Sequence, residues 1–175
     1  GKAGLKRVFL GVGWAAKKGE RVDVDCCCAP YSKTKRNNED TVWFGNLTSR
    51  PANDGYVTIK HSGDILTGQA EGTGELEDLE RIYVDVENLA EEYDCLAFEG
   101  NIFTPGLNFS SLESAYVRLV NADTNQELLR CALDKSSDED YLSSRVLLLA
   151  KLIRGADRWI LQTTVEARDQ TLREL

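Results

Sequence analysis

The sequence predicts one antiparallel β-sandwich of about nine to ten strands with a single packed α-helix near the C-terminal end. Three observations carry this expectation. Most segments alternate apolar and polar residues with period two, the pattern of strands that bury one face. Gly, Asn, Asp and Pro separate them at the intervals of short turns. A length of 175 residues, 42% of them hydrophobic, suits one domain with a core of its own.

In the first segment Val8, Leu10, Val12 and Trp14 share a face. In the second, Val22, Val24, Cys26 and Cys28 share one, which puts Asp23, Asp25 and Cys27 on the opposite face, open to solvent if that side of the sheet is uncovered. Residues 41–44, 56–61, 81–87, 95–99, 115–120 and 127–133 continue the pattern, and 159–165 closes it. The predicted helix precedes that last strand. Ser137 stands three residues before Asp140 as an approximate capping box, Leu142, Val146, Leu149 and Ile153 follow at helical spacing, and Gly155 supplies a stop. Arg145, Lys151 and Arg154 then fall on its solvent face. The sandwich domain is expected over 1–166, with 167–175 as a polar tail or linker.

Charge narrows the partners. With 21 Lys and Arg against 29 Asp and Glu, the net charge is −8, which disfavours nucleic acid because duplex affinity comes from basic residues neutralising phosphates. The excess is local: residues 64–99 carry twelve acids and one base, Arg81, a balance of −11 beside a body of +3. The longest apolar run, 146–150, is far short of the ~20 residues of a membrane helix, so no direct membrane insertion is expected. Five cysteines, three of them adjacent (Cys26, Cys27, Cys28) and none in a C-x-x-C pair, point to reduced thiols and a cytoplasmic location. The chain contains no Met, so Gly1 is read as the product of processing, trimming or tagging.

The segment that carries chemistry is 61–75, H-S-G-D-I-L-T-G-Q-A-E-G-T-G-E. Its glycines let the backbone turn and bring carbonyls together, such as that of Gly68, while Asp64, Glu71 and Glu75 supply carboxylates. Calcium asks for this supply, six to eight oxygens in a flexible geometry. The spacing is not that of an EF-hand, and an acidic loop that is merely solvated is an equal alternative on composition. Asp23 and Asp25, about 7 Å apart on one strand face, repel each other unless a cation, a base or solvent compensates. Asn46, in the turn after 41–44, lends a neutral oxygen if that turn lies near the Gly-rich loop. His61, the only histidine, has no second His or Cys at ligand spacing and reads as a surface residue. With no G-x-S-x-G, P-loop or H-E-x-x-H, and no sugar-binding groove among the carboxylates, the expected role is binding, not catalysis.

In order along the chain, 11–14 is similar to G-x-G-W, 22–25 to F-D-L-D, 42–47 to V-F-Y-N-N-L, 63–75 to G-D-N-L-T-G-E-G-x-G-D-D-E, and 115–121 to A-F-I-R-V-V-N. This ordered set resembles the TerD family of bacterial tellurium-resistance and general stress proteins, over about residues 5–165. The resemblance implies a calcium-binding β-sandwich, with calcium held by Asp23, Asp25, Asn46, Asp64, Glu71 and Glu75 and the Gly68 carbonyl, and a protein partner in a stress-response assembly. A peripheral place at the membrane through partners goes with it. Ile65 replaces the family's Asn, Gln69 its Glu, and Thr73 and Gly74 its paired Asp, so the expectation is one weak calcium site or none. The alternative is a divergent interaction domain that has lost calcium. A third reading, a calcium module for lipid surfaces, is opposed by the acidic loop. The family name also raises a thiophilic metalloid such as tellurite as a ligand; Cys27, on the aspartate face, is the thiol to test, with packing the stronger reading. The family's segment before the first matched strand is missing, which suggests a divergent member or a piece of a longer protein.

Overall fold

The computed structural model describes residues 4–64, 67–69, 75–133 and 138–168. In chain order its strands are β1 (Arg7–Ala16), β2 (Val24–Ser32), β3 (Lys35–Arg36), β4 (Ile59–His61), β5 (Glu80–Asp85), β6 (Cys95–Ile102), β7 (Leu112–Asn121), β8 (Gln126–Leu133), β9 (Val146–Arg154) and β10 (Trp159–Arg168). They form two five-stranded antiparallel sheets, ordered β4-β5-β1-β7-β8 and β10-β9-β6-β2-β3. This is the predicted sandwich. Among the described residues no helix is long and apolar enough to cross a membrane.

The period-two reading of β1 holds because one face of that strand is the core. Val8, Leu10, Val12 and Trp14 are all buried there, opposite Val24, Cys26 and Cys28 of β2. Trp14 is fully enclosed, and its indole N–H donates to the Val22 carbonyl at 2.9 Å, so the one polar atom of a large apolar side chain is satisfied. The opposite face of β2 is covered too. Cys27 and Ala29 pack with Tyr31 and Trp43, so the open face anticipated for Asp23, Asp25 and Cys27 does not exist around Cys27 and Asp25.

The expected long helix is a correction. Among the described residues of 138–154 only α1 (Glu139–Ser143) is helical, capped by the Asp138 carboxylate, which accepts from the Asp140 N–H; Ser137 lies outside the described residues. Beyond it the chain becomes β9, a central strand between β6 and β10. A strand covered on both faces is apolar without alternation, and the run 146–150 satisfies helical spacing as easily as it fills such a strand. Arg154 is consequently not a solvent-face residue: it donates to the carbonyls of Tyr93 at 2.7 Å and Ala90 at 3.0 Å and stacks on Trp159. Arg145 likewise reaches the Ile102 carbonyl at 3.1 Å.

Residues 41–44 also differ from expectation. Val42 makes a bridge with Cys28, after which the chain reverses between Trp43 and Asn46. Gly45 permits this turn, since a Cβ there would lie 2.7 Å from the Trp43 ring. β10 runs to Arg168, paired with Val146; residues 169–175 are outside the described residues.

Candidate functional site

Asp23 lies just ahead of β2 and Asp25 within it, while Asp64 follows β4 in the Gly-rich segment. The fold brings the three together, with one carboxylate oxygen from each within 4.8 Å of the others. Asp25 is 1% exposed. Both of its carboxylate oxygens, and Oδ1 of Asp23, are buried without a hydrogen-bond partner among the described residues. Burial pushes the Asp25 carboxyl up to about 8, with Asp23, Glu80 and Asp64 adding to it. Burial raises Asp23 to about 6, helped by Asp64 and Glu80, and raises Asp64 as well. Buried carboxylates that face one another without donors are costly, and a cation removes the cost by supplying charge to every orphaned oxygen at once.

The segment bearing Asp64 is pinned on both sides. At its start the Ser62 N–H donates to the Arg81 carbonyl and the Arg81 N–H to Ser62 Oγ, each at 2.8 Å. Gly63 then turns with φ of +116°, a conformation that favours glycine. Further on, Gly68 lies flat on Trp14: a Cβ would come within 2.8 Å of the indole and 2.9 Å of the Trp14 carbonyl oxygen. The Gln69 N–H donates to that same carbonyl at 2.8 Å. Its side chain spans the loop, Nε2 donating to the Glu75 carbonyl and Oε1 accepting from the Glu77 N–H, both at 2.9 Å. A glutamate at this position would lack the amide donor, so the bridge to Glu75 and Glu77 depends on the Gln69 amide.

The remaining expected ligands are placed as follows. Asn46 spends its amide N–H groups on the carbonyls of Thr41 at 2.8 Å and Glu39 at 3.2 Å, closing its own turn. Glu75 is exposed, and its carboxylate is not part of the three-aspartate group. Glu71 is outside the described residues, as are Ile65, Thr73 and Gly74. The acidic stretch is also less uniform than its charge suggests. Asp78 accepts from Tyr116, Arg118 and Arg81, Asp85 from Tyr56 and Asn88, and Glu87 pairs with Lys6. Asp78 lies over β1 at Gly11, where a Cβ would meet the carboxylate at 2.6 Å.

Two features escaped the sequence reading. Asn101 of β6 stands directly opposite Asp25 in the ladder, is 2% exposed, and buries an Oδ1 without a partner among the described residues. Facing residues of an antiparallel pair share one side of the sheet, so this neutral oxygen stands beside the aspartates. His61, expected on the surface, is buried instead. Its Nε2 lies 3.3 Å from Glu80 Oε2 and 3.7 Å from Cys26 Sγ, and the thiol reaches the same glutamate oxygen at 3.6 Å. A Cys, a His and a carboxylate are the parts of a thiol nucleophile, but here burial pushes the Cys26 thiol well up and the His61 and Glu80 side chains are closed to solvent. Only strand register brings these three together, which no local spacing reveals.

The model of the TerD domain matches residues 1–175. The chain is 26% identical to stress response protein SCP2 of Bacillus subtilis (strain 168) over 188 residues, covering 98% of this chain and 87% of that protein. It is 30% identical to tellurium resistance protein TerD of Serratia marcescens over 162 residues, 89% of this chain and 77% of that one. A solved homologue of telluride resistance protein (TerD), SCO6318 from Streptomyces coelicolor A3(2), superposes with a TM-score of 0.71 at 19% identity, over 97% of this chain and 94% of its own. A second solved structure, SAV2460, described as of unknown function, gives 0.72 at 18% identity, over 96% and 92%.

Proposed function

The chain belongs to the TerD domain family of stress-response and tellurium-resistance proteins, and from that premise we propose that it is a calcium-binding module without catalytic function. The ion is held by Asp23, Asp25 and Asp64. Asn101 Oδ1, backbone carbonyls such as that of Gly68, and water complete the shell. The observation that carries this reading is the pair of buried Asp25 oxygens with no donor among the described residues, set among two further carboxylates.

The donor set selects the metal. All the ligating groups are oxygens, three of them carboxylates, and one arrives on a Gly-rich loop that adjusts to a large, flexible coordination sphere. Thiolate and imidazole, which favour zinc or copper, are directed elsewhere in the fold. Binding neutralises the repulsion among the aspartates and fixes the Asp64 segment, converting it into a surface for a protein partner in a stress-response assembly.

Calorimetric titration of the chelator-treated protein with calcium tests this. Binding heat is expected, together with a rise in melting temperature that Asp64→Asn abolishes; saturation at a hundred times Kd stabilises by about 2.7 kcal/mol. No heat and no rise in melting temperature overturns the reading.

One observation favours a second reading, an interaction domain that does without calcium. The Gln69 side chain already ties Glu75 and Glu77 together without a metal. On that reading Gln69→Glu, which removes the amide donor, unfastens the loop and calcium does not restore it.

A further inference from the structure

We infer that His61 is the positioning residue of the cation site: its buried ring holds the peptide N–H of Gly63 and so aims Asp64 at Asp23 and Asp25. This rests on the calcium reading above and adds to it a residue that touches no metal. The Gly63 N–H donates to His61 Nδ1 at 3.0 Å. A backbone N–H only donates, so Nδ1 accepts and the ring hydrogen lies on Nε2, facing Glu80 Oε2 at 3.3 Å. The ring therefore has two ends with two tasks. Nε2 anchors it to Glu80 in the core, and Nδ1 grips the loop one residue before Asp64.

The same tautomer decides what the Cys26, His61 and Glu80 group is. Its three ligand atoms lie within 4.8 Å of one another, close enough for a metal, but Nε2 carries its hydrogen and has no lone pair to give. The group is a brace. Each neighbouring link of the chain is fixed as well: the His61 N–H donates to the Leu47 carbonyl at 2.8 Å, and Ser62 is bonded to Arg81 in both directions. Gly63, with φ of +116°, is where the path to Asp64 is set, and His61 Nδ1 is the side-chain acceptor on its N–H.

Two variants separate the ends of the ring. Asn carries its oxygen near the place of Nδ1, so His61→Asn keeps the grip on Gly63 and gives up the Glu80 contact. Gln reaches the place of Nε2, so His61→Gln keeps the Glu80 contact and gives up Gly63. Calcium titration of the wild-type protein and both variants is expected to show His61→Asn within about threefold of the wild-type Kd and His61→Gln weakened about tenfold. Melting temperatures in chelator are expected in a different order, with His61→Asn the less stable variant. Amide exchange at Gly63 in the calcium-free protein is slow in wild type and His61→Asn and fast in His61→Gln. Equal affinities in all three proteins, or affinities that simply follow melting temperature, overturn the positioning role while leaving the calcium reading intact. A wild-type protein without any calcium response overturns both.

Discussion

Asn101 stands opposite Asp25 across the β2–β6 ladder, and the two side chains bury Asp25 Oδ1, Asp25 Oδ2 and Asn101 Oδ1 where none has a partner among the described residues. A cross-strand pair sharing one sheet face sets these oxygens a few ångströms apart, before any loop residue arrives. Asn101→Ala, which deletes the neutral oxygen, is expected to raise the calcium Kd about tenfold, and Asn101→Asp, which adds a fourth carboxylate, to lower it. Asn101→Asp should at the same time lower the melting temperature in chelator. Calorimetry on both variants checks this; an unchanged Kd in both removes Asn101 from the shell.

Asp25 itself separates stability from binding. Burial, with Asp23, Glu80 and Asp64 adding to it, pushes the Asp25 carboxyl up to about 8. In the metal-free protein at neutral pH, folding therefore forces a proton onto a carboxyl whose oxygens have no partner among the described residues, and Asp25→Asn removes that cost. The variant is expected to be more stable than wild type in chelator at neutral pH, by about 1 kcal/mol, and to lose the calcium-induced rise in melting temperature. Urea unfolding with and without calcium measures both effects. A variant less stable than wild type in chelator would show that the buried Asp25 carboxyl does not cost the free protein stability.

The thiols yield a count. Cys26, Cys27 and Cys28 are fully buried, whereas Cys95 and Cys131 are partly exposed. Burial pushes the thiols of Cys26, Cys27 and Cys28 well up. A thiol reagent at neutral pH is therefore expected to label Cys95 and Cys131 in the native protein and all five cysteines only in denaturant. Rapid labelling of Cys27, detected by peptide mass mapping, contradicts this and revives a thiophilic ligand at that position.

What the sequence made legible follows from where each signal resides. β1 reads correctly because its alternation is local and one of its faces is the core. β9 reads as a helix because a strand buried on both sides has no alternation, leaving 146–150 to fit either period. The resemblance and the loop chemistry draw attention to Asp23, Asp25 and Asp64, since their side chains and glycines are adjacent in sequence or within one motif. Asn101 and Glu80 join that neighbourhood only through register, across separations of 76 and 54 residues to Asp25 and Cys26, so nothing near them in sequence marks them. His61 reads as a surface residue for the same reason: the partners that make its burial tolerable come from β2 and β5.

Asp78 governs a separate, pH-dependent part of the stability. Its carboxylate is 2% exposed and accepts from Tyr116 Oη at 2.6 Å, Arg118 Nε at 2.8 Å and Nη2 at 2.7 Å, and Arg81 Nε at 2.7 Å, so that it ties the stretch leading into β5 to β5 and β7. Burial pushes this carboxyl up, but the hydrogen bonds from Arg118, Tyr116 and Arg81 outweigh it and hold it below the usual carboxylate range. A folded value below the unfolded one means that the unfolded chain binds the proton more tightly. The stabilisation is therefore complete above the unfolded value of 3.8 and is lost as pH falls through the folded one. Asp78→Asn is expected to cost about 2 kcal/mol at pH 7, discounted for the partial exposure of both arginines. The gap between wild type and variant should close as pH falls from 5 towards 2, because the wild-type carboxylate is then protonated too. Asp40 and Asp85, also held low, and the three aspartates of the cation site titrate alike in both proteins and drop out of the difference. Denaturant unfolding of both proteins in chelator across this range measures the gap; one that stays constant with pH would mean that Asp78 stabilises by shape and not by charge.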